Sequence, residues 1–260
     1  MEFRWAEGKT DRLPQLAAEL VATKIDVLVT HGTPATLAAK RATKSLPIVI
    51  ATSGDAVASG LVQSLRRPDA NVTGLTLLLQ ELGAKRLELL KIIVPGATRI
   101  AILFNPVNPA FATDIKATQD LARSMKVELT TFGVRTPAEF AGAFATIAKS
   151  RFDALIIHQD GMLNSHPREL ADLARQHRLT SIGFKEYGEA GGVIGYGVDF
   201  LDMYRRAAFF VDKLLKGAQP RDLPIEQPTK FELVINLQTA SALGVEVPQA
   251  LLLRADQVIR

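Results

Sequence analysis

Residues 99–134 read RIAILFNPVNPAFATDIKATQDLARSMKVELTTFGV, and this stretch decides the fold class. Arg99–Phe104 is a short, nearly unbroken apolar run, as expected of a strand buried on both faces. Residues 109–125 follow at helical spacing and open on a proline, which suits a first helical turn. Residues 127–134 then return to a β-type run. Strand, helix and strand in succession make one βαβ unit, which implies a parallel sheet with helices packed on it.

The same alternation continues in both directions. Strands are expected at 26–30, 47–52, 153–158, 180–184, 193–196 and 231–236, and helices at 11–24, 34–43, 81–94, 137–150, 167–177 and 201–216. The chain is therefore α/β. Two stretches break the rhythm: the apolar run 71–79 and the proline-punctuated segment 223–230. Both read as connections rather than core units. With residues 195–200 they make three places where the chain can pass between two α/β lobes, and crossings of that kind absorb the rotation of a hinge.

Composition narrows the function. With 260 residues, 47% of them hydrophobic and 22% charged, the chain has ample material for two modest cores. The net charge of +4 is spread without a basic run or stripe, so nucleic-acid binding gains no support. With no cysteine there is no disulfide, thiolate nucleophile or Cys-ligated metal. No stretch reaches the roughly 18 apolar residues of a membrane span, and Met1 leads into a mixed polar segment rather than a signal-peptide core.

Strand ends are where open α/β sheets take ligands. His31-Gly32-Thr33-Pro34-Ala35 follows a strand and opens a helix, forming an anion-sized socket if the backbone N–H groups and the Thr33 hydroxyl face outward. The plainer alternative is a βα turn with Thr33 as a cap. Ser53 and Asp55 end the next strand and line the same region or merely make a turn. Asn105 and Asn108 lie in a rigid Pro-flanked loop that supplies amide donors and acceptors, or only a cap and a stop. Asp160 ends the strand at 153–158, where a carboxylate can pair with a cationic ligand group or lead a solvated turn. Tyr196, Asp199 and Phe200 combine an acid with two aromatics at a suspected hinge, and Tyr187 is a further aromatic to cover an apolar ligand body.

Catalytic patterns are missing: there is no G-x-G-x-x-G after a strand, P-loop, H-E-x-x-H or G-x-S-x-G elbow. His31, His158, His166 and His177 show no metal-ligand spacing, although His31 and His158 both close strands. No metal and no cofactor is implied.

Arg4-Trp5-Ala6-Glu7-Gly8, Asp11-Arg12-Leu13-Pro14, Gly54-Asp55-Ala56-Val57, Gly60-Leu61-Val62 and Asn71-Val72-Thr73-Gly74 form a set of specific strings. Lys85-Arg86-Leu87-Glu88-Leu89-Leu90, Asn105-Pro106, Glu189-Ala190-Gly191-Gly192, Pro224 and the run from Gln227 to Asn236 extend it along the whole chain. Together they resemble the bacterial ABC-transporter substrate-binding proteins that include tryptophan- and phenylalanine-binding members. The resemblance implies a type I periplasmic-binding fold: two Rossmann-like lobes with parallel sheets joined by three crossovers. The lobes would be 1–76 with 201–223, and 77–200 with 224–260. It also implies a protein that captures a small molecule, an amino acid or aromatic acid, in the interlobe cleft, docks on an ABC permease in the membrane, and catalyses nothing. In amino-acid-binding relatives the turn matching Gly32-Thr33-Pro34-Ala35 contributes to carboxylate binding, and the positions matching Asp160 and Asp199 suit the ligand's ammonium group.

The chain departs from that family in two respects. Relatives start with a signal peptide and a complete βα unit before the segment matching Phe3-Arg4-Trp5. The expectation is therefore a truncated chain of a periplasmic protein, with an incomplete first lobe, a gap beside a strand near Phe3, and a homodimer through strand exchange. The loop 105–109 also lacks the acid or serine of some amino-acid binders. Two rival readings stay open: an α/β enzyme using Asp160, Asp199 or a histidine as acid or base, and a ligand-sensing module.

Overall fold

The computed structural model describes residues 1–68, 71–77 and 79–260, the side chain at 113 excepted. In chain order the elements are α1 (Leu13–Ala22), β1 (Leu28–His31), α2 (Thr33–Ala42), β2 (Ile48–Thr52), β3 (Val72–Gly74), α3 (Leu79–Ile93), β4 (Arg99–Phe104), α4 (Phe111–Ser124), β5 (Glu128–Gly133), α5 (Phe140–Lys149), β6 (Ala154–Ile157), α6 (Gly161–Asn164), α7 (Pro167–Gln176), β7 (Ser181–Gly183), α8 (Lys185–Glu189), β8 (Ile194–Val198), α9 (Phe200–Leu215), β9 (Phe231–Asn236), α10 (Leu237–Leu243), α11 (Gln249–Leu252) and β10 (Gln257–Ile259). They fall into two compact units, one of Met1–Leu78, Val107–Ala110 and Phe200–Lys230, the other of Leu79–Pro106, Phe111–Asp199 and Phe231–Arg260.

The second unit is a seven-stranded sheet in the order β10-β9-β8-β7-β6-β4-β5, parallel except where β8 meets β9. Its strands alternate between two cores. Ile100, Ile102, Ala154 and Ile156 face one cluster with Leu87, Leu90 and Ile93 of α3. Ala101, Leu103, Leu155 and Ile157 face the other, with Phe140, Phe144 and Ile147 of α5 and Leu170 of α7. Burial on both faces is the reason 154–157 reads as an unbroken apolar run. The start of β4 is tied down by Asp153, whose Oδ2 accepts from the backbone N–H of Thr98 and Arg99, each at 2.8 Å. Those bonds, Arg99's first, hold the Asp153 carboxyl below its ordinary pKa.

The first unit has a three-stranded parallel sheet, β1-β2-β3. Two expectations are corrected here. The run 71–79 is more than a connection, because Val72, Thr73 and Gly74 are a buried strand paired with β2 through Ile48↔Val72 and Ile50↔Gly74. Leu78, within that run, lies outside the described residues. Gly74 makes the pairing possible: at φ +122 it adopts backbone that side chains disfavour, and a Cβ there would sit 2.2 Å from the Ile50 carbonyl oxygen. The second correction concerns Phe3, which lies in no strand, so β1 is an edge of its sheet.

Residues 224–230 belong with the first unit rather than the second. Ile225 N–H donates to the Leu65 carbonyl, Glu226 N–H donates to the Gly74 carbonyl, and the Glu226 carbonyl accepts from Thr76 N–H. Arg206 adds a two-pronged pair to the Glu226 carboxylate, both bonds at 2.6 Å. These bonds tie the segment to Leu65, Gly74 and Thr76 of the first unit before the chain enters β9.

Candidate functional site

In the second unit the carboxyl ends of β4 and β6 bring Asn105 and Asp160 together. Asn105 Nδ2 donates to Asp160 Oδ1 at 3.1 Å, and the same oxygen accepts from Met162 N–H at 2.9 Å. Asp160 is thereby the N-cap of α6. Both residues are buried, at 2% and 5% exposure. Beside them, Gln159 Oε1 accepts from Arg86 Nη2 at 2.6 Å, and Arg86 Nε donates to the Tyr196 carbonyl at 2.9 Å. Burial lowers the Arg86 pKa to about 10, Glu186 and Tyr196 acting against it, and at neutral pH it stays cationic.

Other expected residues of this unit have mostly structural duties. Tyr187 is no part of a strand-end site: it is fully enclosed in the core, its hydroxyl 2.5 Å from Ser181 Oγ, and burial pushes its pKa up. The Tyr196 ring packs on Phe231, with centroids 6.2 Å apart. Asp199 is partly exposed at the end of β8, where the chain leaves this unit. His158 Nε2 lies 3.6 Å from Asp114 Oδ2, and its ring meets Phe111 edge-on at 4.9 Å. A cavity lined by Arg86, Asp114, Thr118 and His158 has room for about 10 Å³, which suits one water and not a solute. Among the described residues no group of three or more His, Asp or Glu is placed to hold a metal ion.

In the first unit the turn after β1 is knitted to the turn after β2. Thr33 Oγ1, 1% exposed, accepts from Gly54 N–H at 3.0 Å, and Gly32 N–H donates to the Thr52 carbonyl. The Thr33 hydroxyl therefore faces inward, and the expected outward socket does not form around it. Ser53 Oγ donates to the Gly54 carbonyl, and Asp55 Oδ1 accepts from Val57 and Ala58 N–H, so these two build the turn. Ala35 is only partly exposed, in the first turn of α2. Asn108 Oδ1 likewise accepts from Ala110 N–H at 3.1 Å. His31 and Phe200 do come together: their ring centroids are 5.8 Å apart, and Tyr204, one helical turn after Phe200, brings its hydroxyl 2.8 Å from His31 Nδ1. This aromatic trio, with His31 and Tyr204 exposed and Phe200 half-buried, stands at the carboxyl end of β1. Tyr204 escaped the sequence reading, although its i, i+4 spacing from Phe200 on a helix was the available signal.

The sequence model of the family described as "ABC transporter substrate binding protein" matches residues 1–259, and the chain belongs to that family. A protein of Clostridioides difficile (strain R20291) described as a tyrosine-binding protein is 26% identical over 247 residues, 95% of this chain and 71% of that protein. Among solved structures, the ABC domain in complex with L-Trp from Streptococcus pneumoniae superposes with a TM-score of 0.88 at 26% identity, over 97% of this chain and 87% of that one. A conserved domain protein from Vibrio cholerae gives 0.91 at 27% identity, over 99% and 86%. The fold is that of type I periplasmic-binding proteins, and the chain is a solute-binding component of the ABC-importer kind. Among the described residues no helix is long and apolar enough to cross a membrane.

Proposed function

We propose that this protein reversibly captures an L-amino acid with an aromatic side chain, outside the cytoplasmic membrane, and delivers it to an ABC permease without chemical change. The observation that carries the reading is the buried Asn105–Asp160 pair, an oriented carboxylate at the carboxyl ends of β4 and β6 that suits an ammonium group. The relatives point the same way, one described as tyrosine-binding and one solved with L-Trp.

Calorimetry against L-tryptophan, L-tyrosine and L-phenylalanine tests it. Binding is expected for at least one of the three, with Asp160→Asn weakening it by about 10-fold or more through loss of a charge-assisted bond. The absence of binding heat and of any thermal shift with all three would sink the aromatic amino-acid reading.

A further inference from the structure

Arg86 is one of the largest enclosed side chains in the protein, yet its hydrogen-bond acceptors are uncharged: a backbone carbonyl and an amide oxygen. A guanidinium can only donate, so it dictates which end of the Gln159 amide faces it. That end is the oxygen. The NH2 group must turn away, and Gln159 Nε2 is enclosed with no hydrogen-bond partner among the described residues. Gln159 itself is 3% exposed, and native proteins seldom leave such a donor unmet.

Gly197 borders the same spot. A Cβ on it would come 3.2 Å from the Lys185 backbone nitrogen, 3.5 Å from Arg86 Nη2 and 3.7 Å from Gln159 Oε1. A residue with no side chain is what lets these groups pack this closely against the backbone of β8. Gln159 follows β6 and Gly197 lies near the end of β8, on either side of β7 in the sheet. These are the strand ends at which open parallel sheets take ligands.

We propose that the Gln159 amide, oriented by Arg86, donates to a carboxylate oxygen of the bound solute. The inference rests on the solute-capture reading and deepens it. Gln159 is then a binding residue and Arg86 a positioning residue. Adjacent positions would sort the two ends of a zwitterion, with Gln159 taking the carboxylate and Asp160 the ammonium.

The test titrates the full chain with L-tryptophan and with tryptamine, which lacks the carboxylate. Gln159→Glu keeps an acceptor for Arg86, and so keeps the fold, but removes the NH2 and adds a negative charge. It is expected to weaken tryptophan by about 10- to 100-fold and tryptamine by less than about 2-fold. Arg86→Lys, which cannot span both acceptors, should lower the tryptophan-to-tryptamine affinity ratio. A purely structural role would weaken both ligands equally. Equal losses, or unchanged tryptophan binding in Gln159→Glu, overturn the proposal while leaving solute capture intact. Should the wild-type protein bind neither ligand, a separate probe decides the donor, and the aromatic amino-acid reading is left to the three-ligand titration above. The Gln159 side-chain amide resonance, assigned by its loss in Gln159→Glu, is followed against sodium phenylacetate. A saturating shift supports the carboxylate site, and no shift overturns it.

Discussion

The two sheets follow the same code of apolar strands and amphipathic helices, but they are finished differently. In the second unit seven strands carry a core on each face, and the strands of its middle, such as β4 and β6, pair on both sides. In the first, there are three strands: Ile48, Ile50 and Leu61 share one cluster, Val49 and Ala51 of β2 are buried as well, and β1 pairs on one side alone. Its outward residues follow suit, Val29 standing 50% exposed. Free energy of local opening tracks buried contact and paired backbone, so the first unit should open more readily than the second. The same asymmetry runs through the candidate groups: a partly exposed aromatic trio in the first unit, enclosed polar pairs in the second.

The largest expected effect is in the second unit. Phe144→Ala empties a fully buried position, and urea unfolding should show a loss of about 3–5 kcal/mol. A loss below about 1 kcal/mol would break the view that its two clusters act as close-packed cores. In the first unit, Gly74→Ala should cost about 2–3 kcal/mol, because the added Cβ collides with backbone where β3 meets β2. Thr33→Val leaves Gly54 N–H without its acceptor and should cost about 1–2 kcal/mol, read by the same unfolding curves.

A subtler test lies in acid. The folded-state pKa of Asp153 is depressed, so its hydrogen bonds stabilise the protein above the unfolded carboxyl pKa of about 4 and lose that effect as pH falls through the lower folded value. Asp153→Asn should therefore narrow the gap in stability between neutral pH and about pH 3, measured by thermal unfolding. The smallest effect belongs to the open edge: Val29→Ala should shift stability by no more than about 0.5 kcal/mol. Amide exchange at Val29 and His31 should nevertheless be faster than at Ile102 and Ile156, and equal protection would mean that something covers β1.

Periodicity carried most of the fold. Eight strands and seven helices stand where the apolar runs and the helical spacing place them, because burial on both faces forces a continuous apolar strand and packing on a sheet forces a one-sided helix. What escaped has a common cause. The three-residue strands β3 and β10 and the short helices α6, α8, α10 and α11 are too brief to show a period, and β3 exists through its long-range pairing with β2.

By itself, then, the sequence determined the α/β class, the order of the units, the family, and the loops that carry Asn105 and Asp160. Only tertiary structure decided which polar groups meet. Thr33 turned inward because Gly54 N–H needed an acceptor, and Tyr187 went to the core because Ser181 could satisfy its hydroxyl. Arg86 and Gln159 stand 73 positions apart, and no local pattern announces that a guanidinium on one helix will fix the amide at the end of a distant strand. Helix and strand formation follow from neighbours in the chain, whereas hydrogen-bond satisfaction of buried polar groups depends on neighbours in space.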